Sequence, residues 1–188
     1  MTATSAVRDV GLKHGVHLGI AENGKRYALG GDHRTALRHY REALRLAGQR
    51  RAPEVFLRHY TQCILESLEL SGAYGGVIAV CERADAQYEA CGTSSTLLAR
   101  DHAAFLERLG INRLKAGDRE GAREALAAAL ETTEARHVPV AEALLGMLMR
   151  GMTLDARRVT ELQRRHDYFV VREGNTDEAR ARPLPREW

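Results

Sequence analysis

IAENGKRYALGGDHRTALRHYREA, residues 20–43, decides the fold. A helical pattern runs into Gly31-Asp32 and a second begins at once beyond it. Gly24 and Ala36 stand where two such helices would cross, because only a small side chain permits close approach there. Tyr27 and Tyr40 would fill the space between this pair and the next, and Ala43 follows Tyr40 by three. Gly31 can adopt the left-handed backbone angles that end the first helix.

FLERLGINRLKAGDREGAREALAAAL, residues 105–130, repeats the scheme. Leu106, Leu109 and Gly110 take the large, large and small positions, Gly117-Asp118 makes the turn, and Ala122, Leu126 and Ala129 follow. Between them, residues 61–86 form a degenerate copy: Gly72 turns, Tyr74 follows, and Val77, Cys81 and Ala84 keep the later landmarks. Leu65 replaces the usual glycine, so looser packing is expected in that pair. A fourth unit is suggested by Gly151 and Ala156, with most other landmarks lost. The turn glycines lie 41, 45 and 34 residues apart, and the surplus is absorbed by longer first helices starting near Pro53 and near Thr93-Ser94-Ser95.

These offsets resemble the tetratricopeptide repeat, whose pattern is about 34 residues long. The resemblance covers roughly residues 17–168. It implies an all-α, right-handed α-solenoid of antiparallel helix pairs, with units at about 17–50, 58–91, 103–136 and 137–168. It also implies a surface for proteins or peptides with no shared active site. Longer repeats of this kind occur in the regulatory arrays of bacterial signalling proteins. A non-repeating helical bundle is the alternative. Beyond His166 the pattern stops, and residues 169–188 read either as a strand-like segment folded back on the array or as a tail mobile over 174–188.

Composition agrees with an almost wholly helical chain. The hydrophobic fraction of 44% can build a core, and 5% aromatic residues is too few for an all-β one. Only Lys13, Lys25 and Lys115 among the 28 basic residues are lysine, and 25 acids are interleaved with the arginines. No basic stripe results, so nucleic-acid binding is not expected. Cys63, Cys81 and Cys91 have no metal or disulfide spacing. No signal peptide and no membrane-length apolar run is visible, and the cytoplasm is the expected location.

Catalytic chemistry finds no footing in the sequence. His14 and His17 could share a helix face, but their neighbours Lys13, Val16 and Leu18 supply no further metal ligands. Gly30-Gly31 and Gly75-Gly76 lack the lysine and spacing of a phosphate loop, and no serine or cysteine has a nucleophile's setting. Neither an enzyme nor a cofactor is expected.

In the family resembled, the first helix of each pair lines the concave face. The turn glycines then place Lys25 and Ala28 there, with His59, Gln62, Glu66 and Glu69 from the second unit. Glu107, Ile111 and Leu114 come from the third, and Ala141, Leu145 and Leu148 from the fourth. Glutamates at these positions would repel a carboxylate-terminated chaperone tail. They suit a peptide or helix with two or three apolar anchors and a basic residue. Val138–Met152 is apolar nearly all round, so it is either covered within the chain or a self-association surface for a homo-oligomer.

The expected function is a non-catalytic adaptor or scaffold docking a partner protein. The alternatives are a peptide- or ligand-responsive regulator and a dedicated chaperone for a secreted or assembly protein.

Overall fold

The computed structural model describes residues 3–92 and 95–185, and side chains from Gly15 onward. Thr93 and Ser94, the side chain of His14 and residues 186–188 lie outside the described residues. Eight α-helices and no strand occur among the described residues. In chain order they are α1 (Ala3–Leu29), α2 (His33–Gln49), α3 (Glu54–Leu70), α4 (Tyr74–Cys91), α5 (Thr96–Lys115), α6 (Arg119–Thr132), α7 (Pro139–Met149) and α8 (Ala156–Arg165). None of the helices is long and apolar enough to cross a membrane.

The turns carry the repeat. Gly31, Gly72, Gly117 and Gly151 all have φ between 75° and 93°, the left-handed region a glycine enters without Cβ strain. At three of them the amide just past the glycine reaches back to the helix it leaves. Asp32 N donates to Tyr27 O at 2.9 Å, Asp118 N to Arg113 O at 2.9 Å, and Met152 N to Met147 O at 3.1 Å. This bond satisfies a carbonyl that the helix end would otherwise orphan. The aspartate then opens the next helix. Asp32 accepts from Thr35 N and Asp118 from Gly121 N, while Asp155 and Ser95 do the same for α8 and α5. Pro139 occupies the first turn of α7, where its missing N–H costs nothing.

The helix crossings depend on the small residues. A Cβ on Gly24 would stand 2.8 Å from the Tyr40 ring, and one on Gly110 only 2.6 Å from Leu126 Cγ. Ala36 and Ala122, on the helices that follow, are fully buried. At Gly110 the helices come close enough that a Cβ would also stand 3.1 Å from the Ala122 carbonyl oxygen.

The chain divides into two compact units, residues 1–71 with 170–188, and residues 72–169. The division falls between α3 and α4, which the sequence groups as the second pair. In the first unit α2 packs on both α1 and α3. Its core joins Ile20, Ala21, Ala43, Ala47 and Tyr60, with a smaller cluster of Ala36, Tyr40, Cys63 and Val171. In the second unit α5 contacts α4, α6, α7 and α8, around a core of Leu106, Ile111, Leu126, Leu144, Val159 and Leu162. Leu154, Leu162 and Tyr168 pack into the same cluster as α7, so the segment Val138–Met152 is covered largely within its own unit. Met149 remains exposed.

Residues 170–185 return to the first unit in an extended course broken by two single 3-10 turns, Glu173–Asn175 and Glu178–Arg180.

Candidate peptide cradle

The first unit holds that returning segment by its main chain. Glu66 on α3 is 2% exposed, and its carboxylate accepts from two successive amides, Val170 N at 2.7 Å and Val171 N at 3.2 Å. Val171 is buried against Ala36, Tyr40 and Cys63. Further along, Glu22 and Lys25, one turn apart on α1, form an ion pair of 2.8 Å. Each also takes a main-chain group of the segment. Asp177 N donates to Glu22 Oε2 at 2.8 Å, and Lys25 Nζ donates to Asn175 O at 3.1 Å. At the far end Arg182 N donates to the Gly19 carbonyl at 2.8 Å. A Cβ on Gly19 would lie 2.6 Å from Arg180 O, so only glycine leaves room for the segment's backbone there. Leu184 packs, half-buried, on the core around Ile20 and Tyr60.

The segment also fixes its own bend. Asn175 accepts from Arg172 N through Oδ1 at 3.0 Å and donates through Nδ2 to Val170 O. Most of its side chains from Arg172 to Arg180 face solvent. Binding of this kind reads main-chain N–H and C=O groups, with a few apolar anchors.

Neutral histidines flank the cradle. His59 has its pKa lowered by burial and next by the Lys25 charge, and its Nε2 lies 3.7 Å from Cys63 Sγ. His39 donates from Nδ1 to Thr35 O at 2.9 Å and accepts at Nε2 from Asn23 Nδ2 at 3.1 Å. Those two partners fit only the neutral ring, and burial is the main cause of its lowered pKa. Burial also drives the Tyr40 and Tyr60 hydroxyls well above the usual phenol range. Tyr60 shares a 2.7 Å hydrogen bond with His17.

The residues expected to line a groove divide between the units. Lys25 and Glu66 meet at the cradle, His59 and Gln62 are half-buried on α3, and Glu69 is buried. In the second unit Glu107 accepts from Ala141 N at 2.8 Å and so caps α7. Ile111, Leu114 and Leu148 lie in that unit's core, with Leu145 partly buried against it. Nearby, Arg108 lies over the Tyr168 ring at 5.2 Å, and Lys115 donates to Thr160 at 2.8 Å. These polar side chains of α5 are thus occupied within their own unit.

Two participants escaped the sequence reading, Gly19 and Glu22, while the Val170-Val171 pair falls in the segment that reads either as folded back on the array or as mobile over 174–188. The available signal was the Glu22–Lys25 spacing. No group of three or more histidine, cysteine or carboxylate side chains that could hold a metal occurs among the described residues.

No family model matches the chain, and no curated protein and no solved structure matches it.

Proposed function

We propose that the chain is a non-catalytic docking protein of tetratricopeptide-like helix pairs, stacked in the right-handed sense that the resemblance implies, which captures an extended segment of a partner protein. One observation carries this reading: α1 and α3 together present carboxylate and carbonyl acceptors and a buried ammonium spaced to receive the main chain of an extended segment. Sequence-tolerant capture follows from that chemistry, because every residue except proline offers an N–H. Apolar anchors then supply affinity.

The cradle changes the part assigned to Glu66. Its carboxylate receives amides, so its contribution is charge-assisted hydrogen bonding to backbone, in place of attraction to a basic side chain. The test is selection from a displayed library of random peptides on the immobilised full chain carrying Val171→Asp, which loosens the chain's own segment from the site, with Glu66→Gln added as matched control. The expected result is enrichment of peptides with a β-branched aliphatic pair, lost on the control. Failure to enrich any sequence would overturn the docking reading.

A further inference from the structure

We propose that the cradle of Glu66, Glu22, Lys25 and Gly19 is a site for an extended segment supplied by a second protein, and that residues 170–184 of this chain are its built-in competitor. The inference rests on the docking reading above.

The segment has the character of a bound peptide. It is not paired into a sheet or wound into a helix beyond single turns. Only Val171 at one end is buried and Leu184 at the other is half-buried, while the intervening side chains are mostly exposed. The core of Ile20, Ala21, Ala43, Ala47 and Tyr60 comes from α1, α2 and α3, with Ala52 from the turn between the last two, and Leu184 sits at its margin. Removing the segment would therefore uncover a surface without dismantling the helices beneath it.

The cradle also defines what it accepts. Four N–H groups are received, those of Val170, Val171, Asp177 and Arg182, so a ligand has no proline at the matching positions. One carbonyl is received by Lys25, between the second and third of those amides. The anchor beside Glu66 enters a space walled by Ala36, Tyr40 and Cys63, which fits a β-branched aliphatic side chain. An acidic residue at that anchor would meet the buried Glu66 carboxylate and is excluded. The partner is thus an extended segment with a Val or Ile pair and no carboxylate next to it. Covalent linkage gives the internal segment an effective concentration in the millimolar range, so a partner gains access mainly when that segment is released.

The test uses a fluorescein-labelled peptide of residues 170–185, followed by anisotropy against the full chain. Val171→Asp weakens the internal segment by placing a charge at its anchor. Expected is a Kd lower by about tenfold or more for the variant than for wild type. Adding Glu66→Gln to the variant should abolish that gain. As a second route, a protease recognition sequence between Phe169 and Val170 allows the segment to be cut free in an otherwise intact chain. The nicked chain should keep its helical circular dichroism and exchange its segment for the labelled peptide.

Equal binding by wild type and variant would overturn internal competition. Loss of helicity on nicking would overturn it too, because the segment would then be part of the core. If neither protein takes the labelled peptide while library-selected peptides still bind the Val171→Asp chain, the competitor falls and the docking reading stands. If both fail, both fall.

Discussion

Replacing Gly19 by alanine sets two effects of known sign against each other. In an ordinary helix interior the change stabilises by about 1 kcal/mol, since glycine gives up more backbone freedom on folding. Here the new Cβ would stand 2.6 Å from the Arg180 carbonyl oxygen and 2.7 Å from Arg182 Cγ. The exposed Arg182 side chain can swing aside, but the Arg180 carbonyl belongs to the backbone and must move with its segment. That movement breaks the 2.8 Å bond from Arg182 N to Gly19 O, worth about 1 kcal/mol, and draws Leu184 off the core, worth about 1 kcal/mol more for a half-buried side chain. The docking loss then exceeds the helix gain by about 1 kcal/mol. Urea unfolding should show Gly19→Ala destabilised by about 1 kcal/mol, where an ordinary helix site would be stabilised by that amount. Trypsin cleavage after Arg180, however, should accelerate by about tenfold or more, because the segment's far end is loosened by over 1 kcal/mol while the helices stay closed. A variant that is stabilised by the full helix increment, with Arg180 cleaved no faster than in wild type, would refute the seating of this segment on α1.

Other consequences are equally open to measurement. Gly110→Ala drives a Cβ into Leu126 Cγ at 2.6 Å and should destabilise by about 1–2 kcal/mol in urea, whereas Gly48→Ala, with open space around it, should stabilise by up to about 1 kcal/mol. His39 is held neutral, with its pKa lowered first by burial and then by Arg38, against an opposing effect from the Thr35 carbonyl. The unfolded chain therefore takes up that proton first as pH falls. Stability should be complete above about pH 6.5 and decline below it, and His39→Gln should flatten that slope in urea midpoints taken between about pH 7.5 and 5.5. Ile111→Asp places a charge at a fully buried core position and should cost more than about 3 kcal/mol, so circular dichroism should register it as unfolding rather than as a docking defect.

The repeat was legible because its determinants are local. A glycine forced to positive φ, an aspartate capping the next helix and a small residue at each crossing all act within one helical hairpin, and Gly31, Gly117, Gly24 and Gly110 occupy the places their spacing indicated. Two helix ends were less visible, since Arg51 and Asp167 take positive φ without being glycine. The break between α3 and α4 was not legible either, because pair spacing says nothing about which neighbours share a core. At the site, Lys25 and Glu66 were identifiable from the turn spacing as positions on the face expected to receive a partner segment. That the folded-back reading of residues 169–188 would land there was not, because a segment bound through N–H and C=O groups uses atoms common to all residues and leaves almost no mark in its side chains. Gly19 and Glu22 were missed for the same reason, each serving the segment's main chain.

Amide hydrogen exchange at Val170 and Val171, in wild type and in Glu66→Gln, tests the cradle most directly. The substitution keeps the shape and one carbonyl acceptor but removes the charge that strengthens both bonds, a loss of about 1.5–3 kcal/mol. Both amides should be protected in wild type and should exchange faster together by about tenfold to a hundredfold in the variant, with helix amides of α2 and α3 unchanged. Amides that exchange freely in wild type, or that keep their protection in the variant, would contradict the claim that Glu66 holds this segment by its main chain.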